Sequence, residues 1–387
     1  MSLRFALVGC GVIAPTHARA LLDLRGHADL VVCSDAVPER ARALAAEFGV
    51  RAAPYDEVLA DPTIDAVTVC TPSGLHAEVG VPALLAGKHV IVEKPMDVSV
   101  EACDQLLAAQ AVSGAALAVV SQHRFDPASQ VVKAAVDDGE LGRLVLAEAR
   151  VPWYRPQAYY DSGEWRGTWA MDGGGALINQ GVHTLDVLRW ICGPVRTVYA
   201  QARTAAHERI EVEDVICATV EFTNGAIGTI MASTAAYPGF AARLGVHGTR
   251  GGAVIEGDRL ATFVTVDGVR RGGESATAHA LQVATGGTRA ATEAVEDSAR
   301  ARGAEHTADD TPAPADAWGR AHRDQLLDFV AAAQEGRPPL VDGIEGRHAV
   351  ELVRAIYHSA RTGAPVALAP PSVDIDVLAV QEHHAGV

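Results

Sequence analysis

Two side chains of this sequence could exchange a proton with a substrate hydroxyl, Lys94 and His183. Lys94 follows the predicted strand Lys88–Val92, and desolvation beside a buried strand lowers the pKa of a lysine toward neutral values. An imidazole titrates near neutral pH without any perturbation. Such groups suit the oxidation of a carbon that bears a hydroxyl, because hydride leaves carbon while the hydroxyl proton passes to a nearby acceptor. We therefore predict Lys94 and His183 as the catalytic acid-base groups.

His183 lies in the glycine-led segment Gly173–Asp186, whose apolar residues have a helical period. Positions four and then three apart share a helix face, so Asn179, His183 and Asp186 are predicted to form one polar stripe. A solvent-facing helix would carry Lys and Glu there, whereas this stripe has an amide, an imidazole and one carboxylate. The pattern is typical of a helix that lines a closed site, although a hydrogen-bonded core histidine stays an alternative on this segment alone.

The N-terminal residues contain the pattern of a dinucleotide-binding loop. Residues 9–14 have the form G-x-G-x-x-A, directly after an apolar stretch and before a helix-like segment. Gly9 allows a tight turn, Gly11 lets the backbone approach a pyrophosphate, and the helix N-terminus stabilises phosphates. Asp35 lies 21 residues beyond Ala14, where a carboxylate can bind a ribose diol and repel a 2′-phosphate. This layout predicts NAD as cofactor in preference to NADP.

Apolar strands and helices alternate up to about residue 122, and this alternation predicts a doubly wound parallel sheet of the Rossmann type over residues 1–122. Ligands of such sheets bind at the carboxyl ends of the strands. Three predicted strand ends carry polar residues there. The predicted cofactor contacts are Gly9, Gly11, Val12, Ile13, Asp35, Thr71, Ser73, His76, Glu93 and Lys94.

Beyond residue 123 the pattern changes, and from Val195 onward it has the period of two that is typical of strands. Asn224-Gly225 is a strong hairpin signal. We predict an α+β unit over residues 123–370, with an open, mostly antiparallel sheet covered on one face by helices. Residues 272–317 have few large apolar side chains and are predicted as an irregular or mobile insertion, with a helix over Arg289–Arg302 as the alternative. Residues 371–387 are predicted to be a tail.

Composition excludes several classes of function for this chain of 387 residues. Its net charge of −16 argues against nucleic acids and anionic membranes as partners, and no apolar stretch approaches the length of a membrane span. The six cysteines are scattered without a C-x-x-C pair, which favours a reduced, cytoplasmic location. No group of residues has the spacing of zinc ligands, so no metal site is predicted.

Three stretches in order resemble the Gfo/Idh/MocA family of oxidoreductases: residues 9–14, residues 86–95 ending in Glu93-Lys94-Pro95, and Gly173–Asp186. The resemblance extends from about residue 3 to 368, apart from 272–317. It implies an N-terminal Rossmann domain, a C-terminal domain with an open sheet, and a homodimer or homotetramer. It also implies NAD(P)-dependent hydride transfer on a sugar, cyclitol or related polyol, with the family's lysine on Lys94 and its histidine on His183.

The first aspartate of the family motif falls on Asn179, and this is the one departure from the pattern. An amide cannot ionise but can bind a substrate hydroxyl. Family members that have Asn at this position are similar to sugar and nucleotide-sugar 3-dehydrogenases. The aromatic and arginine-rich loop over residues 153–169 of this chain also resembles that group. The predicted substrate contacts are Arg124, Tyr154, Tyr160, Arg166, Asn179 and His183; packing at a domain interface is the alternative for the tyrosines and arginines. Two other functions stay open, an NAD-dependent glycoside hydrolase and a non-catalytic sensor of cofactor and sugar.

Overall fold

The computed structural model describes residues 2–266, 268–271 and 317–369. The predicted insertion, except for residue 317 itself, and the predicted tail lie outside the described residues, as does the alternative helix within the insertion. The described chain is built around two sheets, each with its own apolar core.

The first sheet confirms the predicted doubly wound arrangement. Its strands are β1 (Leu3–Val8), β2 (Ala28–Ser34), β3 (Arg51–Ala52), β4 (Ala66–Val69), β5 (His89–Val92) and β6 (Leu117–Val119). All neighbouring strands are parallel, in the order β3-β2-β1-β4-β5-β6. The strand order reverses between β1 and β4, so the crevice in which dinucleotides bind opens at the carboxyl ends of these two strands.

Five helices connect these strands: α1 (Ala14–Asp23), α2 (Pro38–Phe48), α3 (Tyr55–Ala60), α4 (His76–Leu85) and α5 (Val100–Ser113). Local sequence determines their ends. For example, the Ser99 hydroxyl accepts a hydrogen bond from the backbone N–H of Ala102 at the start of α5 (3.1 Å), and Gly114 ends that helix with φ +70°. Short 3-10 helices, Ser73–Leu75 and Gln122–Phe125, follow β4 and β6.

The second sheet is open and mostly antiparallel, as predicted. Its strands are β7 (Leu144–Pro152), β8 (Val195–Arg203), β9 (Val215–Phe222), β10 (Ile227–Ser233), β11 (Arg243–Gly248), β12 (Gly251–Glu256), β13 (Arg259–Thr265), β14 (Gly268–Arg271) and β15 (Val366–Ala367). The order is β14-β13-β12-β11-β7-β10-β9-β8-β15, and β7 and β10 form its parallel pair. The predicted hairpin at Asn224-Gly225 joins β9 to β10, with Gly225 at φ +85°.

Helices of the second unit cover one face of this sheet. They are α6 (Pro127–Asp137), α7 (Gln157–Tyr160), a π-helical turn at Ala176–Gly181, α8 (Val182–Cys192) and α10 (Gly343–Thr362), whereas α9 (Ala317–Glu335) packs elsewhere. Leu185 and Leu188 of α8 and Ile356 of α10 are almost completely buried in one core with Val198 of β8. Within the described ranges, no helix has both the length and the apolar character needed to cross a membrane.

Helix α9 returns to the first sheet instead of staying with the second unit. Its residues Leu326, Phe329 and Val330 share a core with β1, and the rings of Phe329 and Phe5 meet edge to face with centroids 6.1 Å apart. The predicted boundary at residue 122 therefore separates the strands of the two sheets. Helix α9 comes after that boundary in the chain but packs on the first sheet. The second unit is joined to the cofactor-binding half by a shared core.

Candidate active site

Lys94 lies in the turn that follows β5, at the carboxyl edge of the first sheet. Its bond to Pro95 is cis, and its ammonium donates a hydrogen bond of 3.0 Å to the backbone carbonyl of Asn179. Burial lowers the pKa of Lys94, and the charges of Glu93 and Asp172 oppose that shift. The direction is the one expected from the sequence. The contact also joins the first sheet to the π-helical turn of the second unit.

His183 is the second residue of α8 and is partly exposed. Its ring meets that of His123 edge to face, with centroids 5.2 Å apart. Burial and the charges of Lys94 and His123 lower the pKa of His183 well below its usual range, so this imidazole is neutral. Lys94 and His183 line one cavity of about 330 Å³. The structure therefore brings the two predicted catalytic residues together.

The predicted polar stripe is divided, because Asn179 lies in a π-helical turn and not in an α-helix. Residues four apart are offset on such a turn. Asp186 lines the same cavity as Lys94 and His183, but its carboxylate binds Arg124, whose Nε and Nη2 donate hydrogen bonds of 2.7 and 2.6 Å to it. Arg124 also contacts Glu345 at 2.9 Å and is completely buried. The prediction that Arg124 contacts substrate was wrong, since its guanidinium is enclosed between two carboxylates.

The π-helical turn is held at its start by Glu213. The carboxylate of Glu213 accepts hydrogen bonds of 2.9 Å from the backbone N–H groups of Gly175 and Leu177 and from the hydroxyl of Tyr357. Burial raises the pKa of Glu213 to about 7, although these donors lower it. A side chain at Gly175 would place its Cβ 1.8 Å from the carbonyl oxygen of Glu213, so only glycine fits there. Nothing in the sequence pattern identified Glu213.

Two arginines form a cationic cluster beside the π-helical turn. The Arg166 guanidinium lies 4.4 Å from the ring centroids of both Tyr159 and Trp165 and donates a hydrogen bond of 2.7 Å to the Tyr159 hydroxyl. Arg155 donates to the Gln180 side chain at 2.9 Å, and its buried Nε has no protein partner. In the part of the chain that the structure describes, neither guanidinium lies within 4.0 Å of a carboxylate oxygen. Both are available to an anion.

Of the predicted tyrosine contacts, Tyr160 is a core residue. Its side chain is buried, and its hydroxyl is 2.7 Å from the hydroxyl of Thr234. The prediction that Tyr160 contacts substrate was wrong, because the neighbouring Tyr159 occupies the position beside the arginines. Tyr154 is exposed and packs edge to face on Tyr237, with centroids 5.2 Å apart, so its role in substrate binding stays a prediction.

Asn179 connects the lysine to the arginine cluster. Its amide nitrogen donates to the carboxylate of Asp172 at 2.5 Å, and its amide oxygen accepts from Gln180 at 3.1 Å. Gln180 donates in turn to the Tyr159 hydroxyl at 3.1 Å. Both functions of the Asn179 amide are thus oriented by neighbouring side chains. Asp172, Gln180 and Tyr159 were not predicted, because each acts through a hydrogen bond that spacing along the chain does not reveal.

The N-terminal loop fits a dinucleotide. Gly9 has φ +93°, and a Cβ there would lie 2.6 Å from the backbone of Cys70, whereas the space around a Cβ at Gly11 is open. The Asp35 carboxylate accepts hydrogen bonds from the backbone N–H groups of Cys10 (2.7 Å) and Val37, so it holds the loop at the end of β2. The Thr71 hydroxyl is buried without a protein partner at the neighbouring strand end. Val12, Ile13 and Ser73 lie on the same exposed or partly exposed turns.

Two predicted cofactor contacts, His76 and Glu93, are buried and bind other protein groups. The His76 ring nitrogens lie 2.8 Å from the carbonyl oxygen of Pro95 and 3.0 Å from that of Thr71. His76 therefore links the turns that follow β4 and β5. One carboxylate oxygen of Glu93 lies 2.9 Å from His17, and the other accepts from the Lys94 backbone. Direct cofactor contacts by His76 and Glu93 therefore stay a prediction, since their polar atoms already have protein partners.

A second cleft, of about 550 Å³, opens beside His183. Its wall includes His123, Asp126 and Asp258, which the sequence analysis did not predict to lie together. His123 lies there 2.6 Å from Asp126 and 3.5 Å from Asp258. Burial lowers the pKa of His123, but the two carboxylates raise it above its usual value. The two carboxylates therefore favour the charged form of His123 on the wall that it shares with His183.

Comparison with protein families gives two matches that follow each other along the chain. Residues 3–121 match the model of an oxidoreductase family with an NAD-binding Rossmann fold, and residues 129–254 match the GFO/IDH/MocA C-terminal domain. The first match covers the strands of the parallel sheet, and the second covers β7 to β11 of the other sheet.

Individual relatives agree with these matches. An inositol 2-dehydrogenase of Rhizobium meliloti is 32% identical over 282 residues, which are 70% of this chain and 81% of the relative. A scyllo-inositol 2-dehydrogenase (NAD(+)) of Bacillus subtilis is 30% identical over 65% of this chain and 73% of its own. The structure of the WlbA dehydrogenase from Bordetella pertussis, in complex with NADH and UDP-GlcNAcA, is 31% identical with a TM-score of 0.79. That similarity covers 95% of this chain and 98% of the WlbA chain.

Proposed function

The chain belongs to the Gfo/Idh/MocA family of NAD-dependent sugar and cyclitol dehydrogenases, and we propose that it oxidises or reduces one ring carbon of a sugar that carries an anionic group. NAD supplies the hydride acceptor when it is bound. The protein must then bind the sugar, exclude water and move the hydroxyl proton. The arrangement of Lys94, His183 and the two arginines of the cationic cluster is the observation that supports this proposal.

Lys94 and His183 act as the acid-base pair. A neutral imidazole can accept a proton, and the surroundings of His183 favour its neutral form. Lys94 is held by the Asn179 carbonyl, which leaves its other N–H groups free to donate to the substrate oxygen from which the proton leaves. A donor at that oxygen stabilises the charge that develops on it. In the reverse direction the same two groups return the proton.

The anionic group of the sugar is bound by Arg155 and Arg166. In the described part of this chain of net charge −16, the guanidinium groups of Arg155 and Arg166 form no ion pair within 4.0 Å. Two such arginines near Lys94 favour a site for an external anion. Guanidinium groups bind carboxylates and phosphates through paired hydrogen bonds, and the rings of Tyr159 and Trp165 keep Arg166 in place. A uronate or a nucleotide sugar meets this requirement, and the UDP-GlcNAcA bound to the WlbA relative is of this class.

The test is NADH formation on uronates, nucleotide sugars, neutral hexoses and inositols. We expect turnover of anionic sugars, and a loss of about 100-fold or more in kcat/KM for His183→Ala and Lys94→Met. The exposed His27, remote from the cleft, gives the matched control His27→Ala, which should behave as wild type. Replacing Arg166 with Gln should raise KM for an anionic sugar by about tenfold, since a hydrogen bond to a charged group contributes about 1.5–3 kcal/mol.

Unchanged turnover by His183→Ala would remove that residue from the acid-base role. A preference for neutral sugars that Arg166→Gln leaves unaltered would refute the anionic substrate class.

A further inference from the structure

Asp172 is a buried carboxylate between two parts of the active site. It is 1% exposed, and its two oxygens bind different elements. One accepts a hydrogen bond of 2.9 Å from the backbone N–H of Gly167, in the loop that carries Arg166. The other accepts from the Asn179 amide at 2.5 Å, in the π-helical turn whose backbone holds the Lys94 ammonium. One carboxylate therefore connects the arginine loop to the residue that holds the lysine.

We infer that Asp172 is a positioning residue for the proposed reaction, which orients the Asn179 amide toward the substrate and supplies the negative charge that keeps the Lys94 ammonium in place. The inference rests on the proposed function of this site, and it concerns a residue that acts through Asn179 and Lys94.

The orientation follows from the hydrogen-bonding capacity of an amide. The amide group of asparagine has two N–H donors and two acceptor positions on its oxygen. Asp172 can only accept, so it fixes the nitrogen of Asn179 on its own side and directs the oxygen toward Gln180. One donor and one acceptor position of Asn179 then remain for a sugar hydroxyl. Without the carboxylate the amide could rotate and exchange its nitrogen with its oxygen.

The electrostatic part follows from the charges around the lysine. Glu93 and Asp172 both favour the Lys94 ammonium, and Arg166 opposes it. Glu93 lies on the inner side, bound to His17, whereas Asp172 lies on the side of the arginine loop. Asp172 therefore offsets Arg166, and removing its charge leaves a lysine and an arginine that repel each other across the substrate site.

Exchanging the two side chains separates this role from a merely structural one. In Asp172→Asn, one amide oxygen must serve both Gly167 and Asn179, and the charge is lost. In Asn179→Asp, two carboxylates face each other at the distance of a hydrogen bond and repel. In the double variant Asp172→Asn/Asn179→Asp, the amide at position 172 accepts from Gly167 and donates to the carboxylate at position 179. Both contacts and the negative charge are restored.

The experiment measures kcat/KM against pH for the wild type, the two single variants and the double variant. Each single variant should lose about tenfold or more at neutral pH, because a misplaced reacting group costs up to about 100-fold. The double variant should recover to within a few-fold of the wild type. Asp161→Asn is the matched control, since Asp161 is an exposed partner of Arg209 in the same segment, and it should change nothing. A double variant no better than the worse single variant would overturn the inference.

A second measurement does not require turnover. Trace acetylation of the Lys94 amine at a series of pH values, read by mass spectrometry, follows the titration of this lysine in the intact protein. Asp172→Asn should move that titration to lower pH, and the double variant should return it toward the wild type. An Asp172→Asn titration identical to the wild type overturns the electrostatic part. If the wild type oxidises no sugar in the panel, the proposed function fails, while the labelling still decides whether Asp172 controls Lys94.

Discussion

Replacing Arg124 with Met tests whether this residue stabilises the fold or binds substrate. From the sequence, Arg124 is a predicted substrate contact, but its guanidinium is completely buried and lies between Asp186 and Glu345. Methionine fills most of the same volume without the charge. The variant therefore removes the ion pair and leaves the Asp186 carboxylate buried without its cation.

The magnitude follows from the contacts that are lost. Arg124 makes two hydrogen bonds to Asp186, at 2.7 and 2.6 Å, and one contact of 2.9 Å to Glu345. Hydrogen bonds to charged groups make a net contribution of about 1.5–3 kcal/mol each. Breaking a buried pair by removing one partner destabilises a protein by about 3–5 kcal/mol. We expect this decrease in the free energy of unfolding.

The assay is urea unfolding followed by both fluorescence and circular dichroism, since coincident transitions are needed before a free energy is assigned. A second variant, Arg124→Met/Asp186→Leu, removes both charges and should recover part of the lost stability, because no isolated buried charge remains. If Arg124→Met unfolds at the wild-type urea concentration and instead raises KM, the reasoning is refuted and Arg124 contacts substrate after all.

Two further predictions concern the cofactor and acid stability. Asp35→Ala should weaken NAD binding by about tenfold and raise the relative use of NADP, measured as the ratio of kcat/KM for the two cofactors, because the carboxylate is predicted to accept hydrogen bonds from the ribose diol and to repel a 2′-phosphate; an unchanged ratio would contradict the predicted role. Burial raises the pKa of Glu345, but the His348 ring at 3.9 Å, hydrogen bonds from Arg189 and the charge of Arg124 hold it well below its usual range. A depressed carboxyl pKa stabilises the fold above the unfolded pKa of about 4.3, and this contribution is lost as pH falls below that value. The loss of thermal stability below that pH should thus be smaller in Glu345→Gln than in the wild type, and equal losses would show that Glu345 does not contribute.

Much of the fold could be predicted because its signals are local. The alternation of apolar strands with helices, the pattern of residues 9–14 and the Asn224-Gly225 hairpin each depend on neighbours within a few residues, and the structure has both sheets as expected. Residue types and their local sequence also indicated Lys94 and His183 as candidate acid-base groups. In contrast, the return of helix α9 to the first sheet depends on apolar contacts between residues more than 300 positions apart, such as Phe5 and Phe329.

The amino-acid sequence by itself determined the dinucleotide-binding loop, the two sheets and the identity of the lysine and histidine at the cleft. Only the tertiary structure decided what surrounds them. The sequence did not distinguish Arg124 from Arg166. In the structure, Arg124 is enclosed by two carboxylates, whereas the Arg166 guanidinium packs against two aromatic rings. Asp172 and Glu213 act through hydrogen bonds whose partners are chosen by packing. Periodicity reports which side of an element is buried, whereas the partner that a buried charge meets depends on how distant elements pack together.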